Sequence, residues 1–346
     1  MNYLLIIIVP IIISFIATPF AKKIAIILGA IDDPKRDDRR AHTKPTPRLG
    51  GLAIYIAATI SIFIFEDLSS EIIGLLIGSS LIAITGVIDD IKDLPAKIKL
   101  LIQIIAAIIL YYFGIRIEII SDPIFSEYGY LSLVWYLSFP ITIIWIVGVT
   151  NTINLIDGLD GLSAGISAIA GISMGVVAIL DGNTVAASLS FILAGSALGF
   201  LPYNFNPASI FMGDTGALYL GFVLSAISIE GAVKSTTAVA FICPILILGL
   251  PILDTFLAMF RRFRSGKPIM GADRGHIHHR LIDQGFTQRK TVVFLYGAGI
   301  AFGILAIIVY NMRFYYAIAL IILFSMSLLV AKNLFKNFMK KIGNRK

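Results

Sequence analysis

Long apolar runs recur from one end of the chain to the other, separated by short polar loops. About 20 consecutive apolar residues is the length an α-helix needs to cross the ~30 Å hydrocarbon layer of a bilayer. The runs predict spans near 3–28, 49–65, 72–88, 99–115, 131–150, 162–180, 184–201, 216–229, 236–258, 291–309 and 314–332. They are too long and too continuous for barrel strands, whose residues alternate between lipid and lumen. The pattern therefore predicts an all-α polytopic integral membrane protein with about eleven transmembrane helices. Small residues four apart, Gly161 and Gly165, Gly171 and Gly175, Gly195 and Gly199, predict close helix packing, as does the GAGIAFG run at 297–303. That run follows no strand, so it is not a dinucleotide-binding loop.

Charge orients these spans. Alternation from an outside N-terminus puts 29–48, 89–98, 151–161, 202–215, 259–290 and 333–346 in the cytoplasm, leaving only Arg116, Lys234 and Arg313 of the 28 Lys and Arg residues outside. This asymmetry follows the positive-inside rule and puts the C-terminus in the cytoplasm. No basic residue precedes the first apolar run, while Lys22 and Lys23 come near its end, so it reads as a retained span rather than a signal peptide. The expected organisation is one transmembrane domain, 1–332, with a basic tail, 333–346, lying on an anionic leaflet. The outer loop at 116–130 is long enough for a small hairpin.

Composition agrees: 58% of residues are hydrophobic and 14% charged, against about 25% charged in soluble domains. The net charge of +7 belongs to the inner loops, so it does not imply a nucleic-acid partner. The single cysteine, Cys243, lies in an apolar run and excludes a disulfide framework or thiolate cluster. No long-period repeat supports a repeat-built transporter.

Unusual polar residues concentrate in the inner loops. The stretch NTINLIDGLDGL, 151–162, carries Asn154, Asp157 and Asp160 between two apolar runs. Each acid would cost about 2.5–3.5 kcal/mol at the bilayer centre, so these sit at an edge, face water or hold a cation. If the stretch is helical, Asn154, Asp157 and Asp160 follow one face at three-residue spacing. At the end of the third span, Asp89, Asp90 and Asp93 form a DDxxD cluster suited to a divalent cation or a phosphate proton, or else a solvated helix end. Lys97 is a candidate phosphate contact or a snorkelling lysine. In the first loop Arg48 and His42 are phosphate candidates or topology determinants. Asn204 and Asn206 bracket a proline turn, and Asp214 is a helix cap or a metal ligand. His276, His278, His279 and Arg280 lie in an arginine-rich loop without cysteine, which favours phosphate and hydrogen bonding over zinc. Pro251 and Asp254 fall inside the ninth span, where proline predicts a break or bend and with it a groove admitting lipid. Four acidic loops and an Arg/His loop on one side describe a magnesium site for a diphosphate substrate.

NLIDGLDGL at 154–162, the pair Asp89 and Asp90, NFNPASIFMGDTG at 204–216 and HIHHR at 276–280 together resemble the polyprenyl-phosphate N-acetylhexosamine-1-phosphate transferases. The resemblance runs from PRLGG at 47–51 to the histidine loop, with the motifs in family order. HIHHR is similar to the branch using UDP-N-acetylglucosamine. Ile277 and Arg280 depart from the three histidines and acid of the muramoyl-pentapeptide branch. The resemblance implies transfer of N-acetylglucosamine 1-phosphate from UDP-N-acetylglucosamine to undecaprenyl phosphate with release of UMP. It implies Mg2+, with Mn2+ as a substitute, the bacterial inner membrane with a cytoplasmic active site, and a possible homodimer. It assigns Asp214 and Asp157 to the metal, and Asp89, Asp90, Asp157 and Asp160 to catalysis. Arg48, Lys97, Asn154, Asn204, His276, His278, His279 and Arg280 go to the substrates. The alternatives are phospho-N-acetylmuramoyl-pentapeptide transfer, another UDP-hexosamine, or a cation-coupled transporter. Sequence leaves both direct displacement and an aspartyl-phosphate route open.

Overall fold

A computed structural model of the chain describes residues 2–32, 45–121, 130–233, 242–266, 275–312 and 316–324. His42, Lys234, Arg274, Arg313, the tip of the 116–130 loop and the basic tail 333–346 lie outside the described residues. Helices dominate: α1 (Tyr3–Ile27), α2 (Gly51–Phe65), α3 (Ser70–Lys92), α4 (Ala96–Tyr112), α5 (Trp135–Ile156), α6 (Leu162–Asp181), α7 (Thr184–Asn204), α8 (Gly213–Val233), α9 (Ile242–Ile247), α10 (Gly249–Arg264), α11 (Ile277–Asp283) and α12 (Gln288–Tyr310). Residues 316–324 are also helical. Two short antiparallel ladders complete the fold, β1 (Ile31–Asp32) with β2 (Thr46–Pro47), and β3 (Ile119–Ser121) with β4 (Tyr130–Ser132). The second is the hairpin expected in the 116–130 loop.

Among the described residues, α1, α3, α5, α6, α7, α8 and α12 are long and apolar enough to cross a membrane. The protein is therefore an all-α, multi-pass membrane protein. The other four expected spans are shorter pieces: α2, α4, the α9–α10 pair, and the described helix 316–324. The ninth span does break, but at Leu248, three residues before Pro251. Pro251 then occupies the first turn of α10, where a missing N–H costs nothing.

Lipid-side and core-side residues separate by helix face. On α1 the large apolar residues Leu4, Ile12, Phe15, Ile16 and Phe20 are exposed, while Ile6, Pro10, Ser14, Thr18 and Ala21 are buried. The buried side meets α7 through small residues: a Cβ at Gly195 or Gly199 would strike the carbonyls of Ile7 and Ile11. With little hydrophobic drive between helices in lipid, such close backbone approach supplies the packing energy. Gly171 does the same between α6 and α7, meeting the Ser190 carbonyl, while Gly175 makes room for the Phe191 ring and Gly299 and Gly303 for α6 side chains against α12. The most enclosed helices are α6, α7 and α8. Large exposed side chains become sparse on these three, which form the centre of the bundle.

Candidate functional site

Three helix ends meet at one end of the bundle because glycines let them. A Cβ at Gly51, at the start of α2, would collide with the backbone of Gly216 in the first turn of α8. One at Gly86, near the end of α3, would collide with the backbone of Thr215. The α8 N-terminus is thus wedged between α2 and α3. Gly213 opens it with φ 72°, a left-handed conformation that glycine adopts without strain.

Asp90, buried at the end of α3, closes this junction. Its carboxylate accepts from the backbone N–H groups of Asp214 (3.0 Å) and Thr215 (3.1 Å) and from the Thr215 hydroxyl (2.6 Å). A carboxylate supplied by another helix thereby caps α8, where the unpaired N–H groups and the helix dipole favour negative charge. Asp89 takes the other direction. It accepts from Leu94 N–H (2.7 Å) and from Lys99 Nζ (3.1 Å), and the same ammonium donates to Asp214 Oδ2 (2.8 Å). Asn154 Nδ2 reaches that oxygen as well (3.3 Å). One lysine therefore bridges the third-span acids to the start of α8.

The stretch 151–162 is not one helix. α5 ends at Ile156, Asp157 is its C-cap, and the chain turns through Gly161 (φ 79°) into α6. Asn154 is consequently on α5 while Asp157 and Asp160 sit on the turn. Asp160 accepts from Asn206 Nδ2 (2.9 Å) and Ala208 N–H (3.1 Å), tying this turn to the 204–212 loop. Asn204 is spent in the same way: its Oδ1 accepts from Gly161 N–H (3.0 Å) and its Nδ2 donates to the Ile210 carbonyl (3.1 Å). Asp157 differs. Among the described residues nothing hydrogen-bonds to its carboxylate, and burial together with Asp214, Asp90 and Asp160 pushes its pKa well above the usual carboxylate range.

These residues line a cleft of about 480 Å3, whose wall includes Arg48, Asp90, Asn154, Asp157, Asp160, Asp214 and His279. Arg48 donates to the Asp90 carbonyl (2.9 Å) and pairs with Asp93 (2.7 Å). His276 and His278 are buried behind His279. His278 packs against Gly158, where a Cβ would lie 2.5 Å from Nε2. Burial and the adjacent His279 lower the His278 pKa to about 4, so its ring is neutral.

Four expected substrate contacts do not line the cleft: His276 and His278, buried behind its wall, and Lys97 and Arg280. Lys97 is exposed at the start of α4; two residues at 100° each separate it from Lys99, which faces the acids. Sequence reasoning passed over Lys99. Its signal was the next polar residue one turn on, Gln103, which is buried and exchanges hydrogen bonds with Asn151 on α5. Arg280 is exposed, because the buried side of α11 carries His278 and Leu281. Asp254 faces the start of α11. It is buried within α10 and accepts from His276 Nδ1 (2.9 Å) and Ile277 N–H (2.8 Å).

The donor set fits a hard divalent cation. Asp157 and Asp214 present oxygen ligands in the cleft, and the burial and carboxylate repulsion that raise the Asp157 pKa are what a cation would offset. No cluster of three or more His, Cys, Asp or Glu residues stands in ligand geometry among the described residues. A magnesium ion completed by substrate phosphates and water needs only one or two protein carboxylates.

Comparison with known proteins shows the family. Residues 72–232, which contain the Asp89/Asp90 pair, Asp157 and Asp214, match the profile of glycosyl transferase family 4. The chain is 40% identical to a probable undecaprenyl-phosphate N-acetylglucosaminyl 1-phosphate transferase of Bacillus subtilis, over 85% of this chain and 81% of the relative. It is 33% identical to the decaprenyl-phosphate N-acetylglucosaminephosphotransferase of Mycobacterium leprae, over 87% and 83%. A Salmonella typhimurium undecaprenyl-phosphate alpha-N-acetylglucosaminyl 1-phosphate transferase is 24% identical over 80% and 75%. With these relatives matched along most of their length and with acids gathered at one end of a helical bundle, the chain belongs to glycosyl transferase family 4, among its polyprenyl-phosphate N-acetylglucosamine-1-phosphate transferases.

Proposed function

We propose that the protein transfers N-acetylglucosamine 1-phosphate from UDP-N-acetylglucosamine to undecaprenyl phosphate, releasing UMP, as the first membrane step of a cell-envelope glycan. The observation that carries this reading is the acidic cleft itself. Asp90, Asp157, Asp160 and Asp214 line it together with Arg48, and Lys99 pairs with Asp214; a cleft at one end of the bundle suits a soluble donor that meets a bilayer lipid. The names of the relatives give the acceptor and the sugar. A transporter reading is not favoured, because a relay needs acids at mid-span and these lie at helix ends.

In this reading eleven spans cross the bacterial inner membrane, with the N-terminus outside and the cleft on the cytoplasmic face. A phosphate oxygen of the lipid forms a bond to the sugar-linked phosphorus, and the bond to the bridging oxygen breaks, so UMP leaves with the electron pair. Such transfer depends on positioning and charge neutralisation rather than covalent help. Asp157 and Asp214 hold Mg2+, for which Mn2+ substitutes, and the bound ion supplies charge neutralisation for the diphosphate. Lys99 orients the lipid phosphate, a role expected of Lys97 from sequence. Asp89, on the same ammonium, receives any proton the lipid phosphate still carries, whose pKa is about 6. Asp90 keeps α8 and therefore Asp214 in register. Asn154 and His279 contact the donor, and Arg48 lies at the rim. Asp160 and Asn204 position the Asp157 turn.

The test is UMP release by purified protein in detergent with undecaprenyl phosphate, Mg2+ and each of UDP-N-acetylglucosamine, UDP-N-acetylgalactosamine and UDP-N-acetylmuramoyl-pentapeptide. UMP is expected with the first. Release with none of them would remove the enzyme reading, and release with the pentapeptide alone would move the protein to that branch.

A further inference from the structure

The buried carboxylate of Asp254 has no place in the chemistry above, lying well inside α10. From Asp254 to the helix end at Arg264 is ten residues, about 15 Å of rise. Yet it is bonded to residues 22 and 23 positions later, His276 and Ile277. The start of α11 thus returns alongside α10 rather than beyond its end. Gly275 supports the same return, since a Cβ there would come within 2.5 Å of the Arg261 guanidinium.

Asp254 binds the start of α11 twice. One oxygen takes the Ile277 N–H, one of the first N–H groups of α11, and the other takes His276 Nδ1. A carboxylate can only accept, so Nδ1 of His276 carries the proton. Asp254 is 3% and His276 7% exposed, so water does not compete for these bonds. The His276 ring in turn stacks on His278, centroids 5.7 Å apart with 9° between planes, and His278 lies 4.3 Å from His279. At the far end of this stack His278 abuts Gly158 beside Asp157, and His279 lines the cleft. Among the described residues both ring nitrogens of His278 lack a hydrogen-bond partner, so packing, including the stack and Gly158, fixes its position.

We propose that Asp254 is a positioning residue for donor binding. It fixes the Nδ1–H tautomer of His276 and, through the histidine stack, sets α11 in register with the Asp157–Gly158 turn, so that the cleft accepts a nucleoside diphosphate sugar. This rests on the reading of the cleft as a UDP-sugar site.

Asp254→Asn separates geometry from hydrogen bonding. The side chain keeps its shape and still accepts from Ile277 N–H, but its amide donates, which forces His276 to move its proton to Nε2. Only four histidines are present in the chain, so 15N NMR of histidine-labelled protein resolves this tautomer directly. The expected result is an Nδ1–H signal for His276 in the wild type that is lost in Asp254→Asn. With it, the KM for UDP-N-acetylglucosamine rises about tenfold or more while kcat changes less than about twofold, the pattern of lost donor binding. Gly158→Ala, which displaces His278 from the other side, is expected to raise the same KM. An unchanged His276 signal, an unchanged KM, or a fall confined to kcat would overturn the proposal. If the wild type released no UMP with any sugar, the function reading would fall, while the NMR signal would still decide whether the clamp exists.

Discussion

Lys99 and Lys97 differ by two positions in the sequence and by the whole width of α4 in space. Lys99 Nζ lies 2.8 Å from Asp214 and 3.1 Å from Asp89, whereas Lys97 is exposed. Lys99→Gln should lower turnover about 100-fold or more, comparable to losing one preorganised charge stabiliser. Lys97→Ala should stay near wild type in the same UMP assay; the reverse ranking would return the role to Lys97. The distinction was legible in the helical period, since Lys99, Gln103, Ala106 and Leu110 follow one face and the last three are buried. Asp157 makes a second residue-scale prediction. Its folded pKa is raised above the ordinary 3.8, so the folded state binds a proton more tightly than the unfolded chain. Stability is therefore lost as pH rises from about 4 through the folded pKa. Asp157→Asn should melt higher than wild type in metal-free buffer at pH 7, with the difference vanishing near pH 4, while turnover is abolished. Magnesium should raise the wild-type Tm and raise that of the variant less. A variant less stable than wild type at pH 7 would contradict the repulsion described here.

Element boundaries carried more of the outcome than element identity. The apolar runs located the helices well, but α5 stops at Ile156, so the expectation of one face carrying Asn154, Asp157 and Asp160 does not hold. The break in the ninth span moved from Pro251 to Leu248 for a related reason, because a proline in a first turn starts a helix as readily as it ends one. What no pattern along the chain revealed is which helix end caps which. Asp90 and Thr215 are 125 residues apart, and only the packed structure joins them. Gly86 is the hinge of that joint, with no room for a Cβ against the Thr215 backbone. Gly86→Ala should cost about 1–3 kcal/mol through overpacking. Because the strain falls on the α8 N-terminus, activity should drop even in the fraction that remains folded. A thermally shifted but fully active Gly86→Ala protein would show that the Asp90 cap does not hold Asp214 in place.

At the scale of the whole molecule, helices that alternate in direction bring the ends of α3, α5 and α7 and the starts of α4, α8 and α12 to one side. That is why acids spread from residue 90 to residue 214 reach one cleft. The charge pattern in the sequence already assigned that side to the cytoplasm, and the two ends of α4 offer a direct check. Lys97 lies in the first turn of this helix and Arg116 follows its end; the helix itself, 17 residues at 1.5 Å each, is about 26 Å long, close to the thickness of a bilayer core. Both side chains reach solvent. The background is low, because the only native thiol, Cys243, is wholly buried and donates to the Ala306 carbonyl. In intact cells a membrane-impermeant maleimide should label Arg116→Cys and leave Lys97→Cys unmodified until the membrane is opened. Labelling of Lys97→Cys alone would invert the orientation and put the cleft on the side that UDP-sugars do not reach. Labelling of both in intact cells would mean that α4 does not cross, and the count of eleven spans would fall with it.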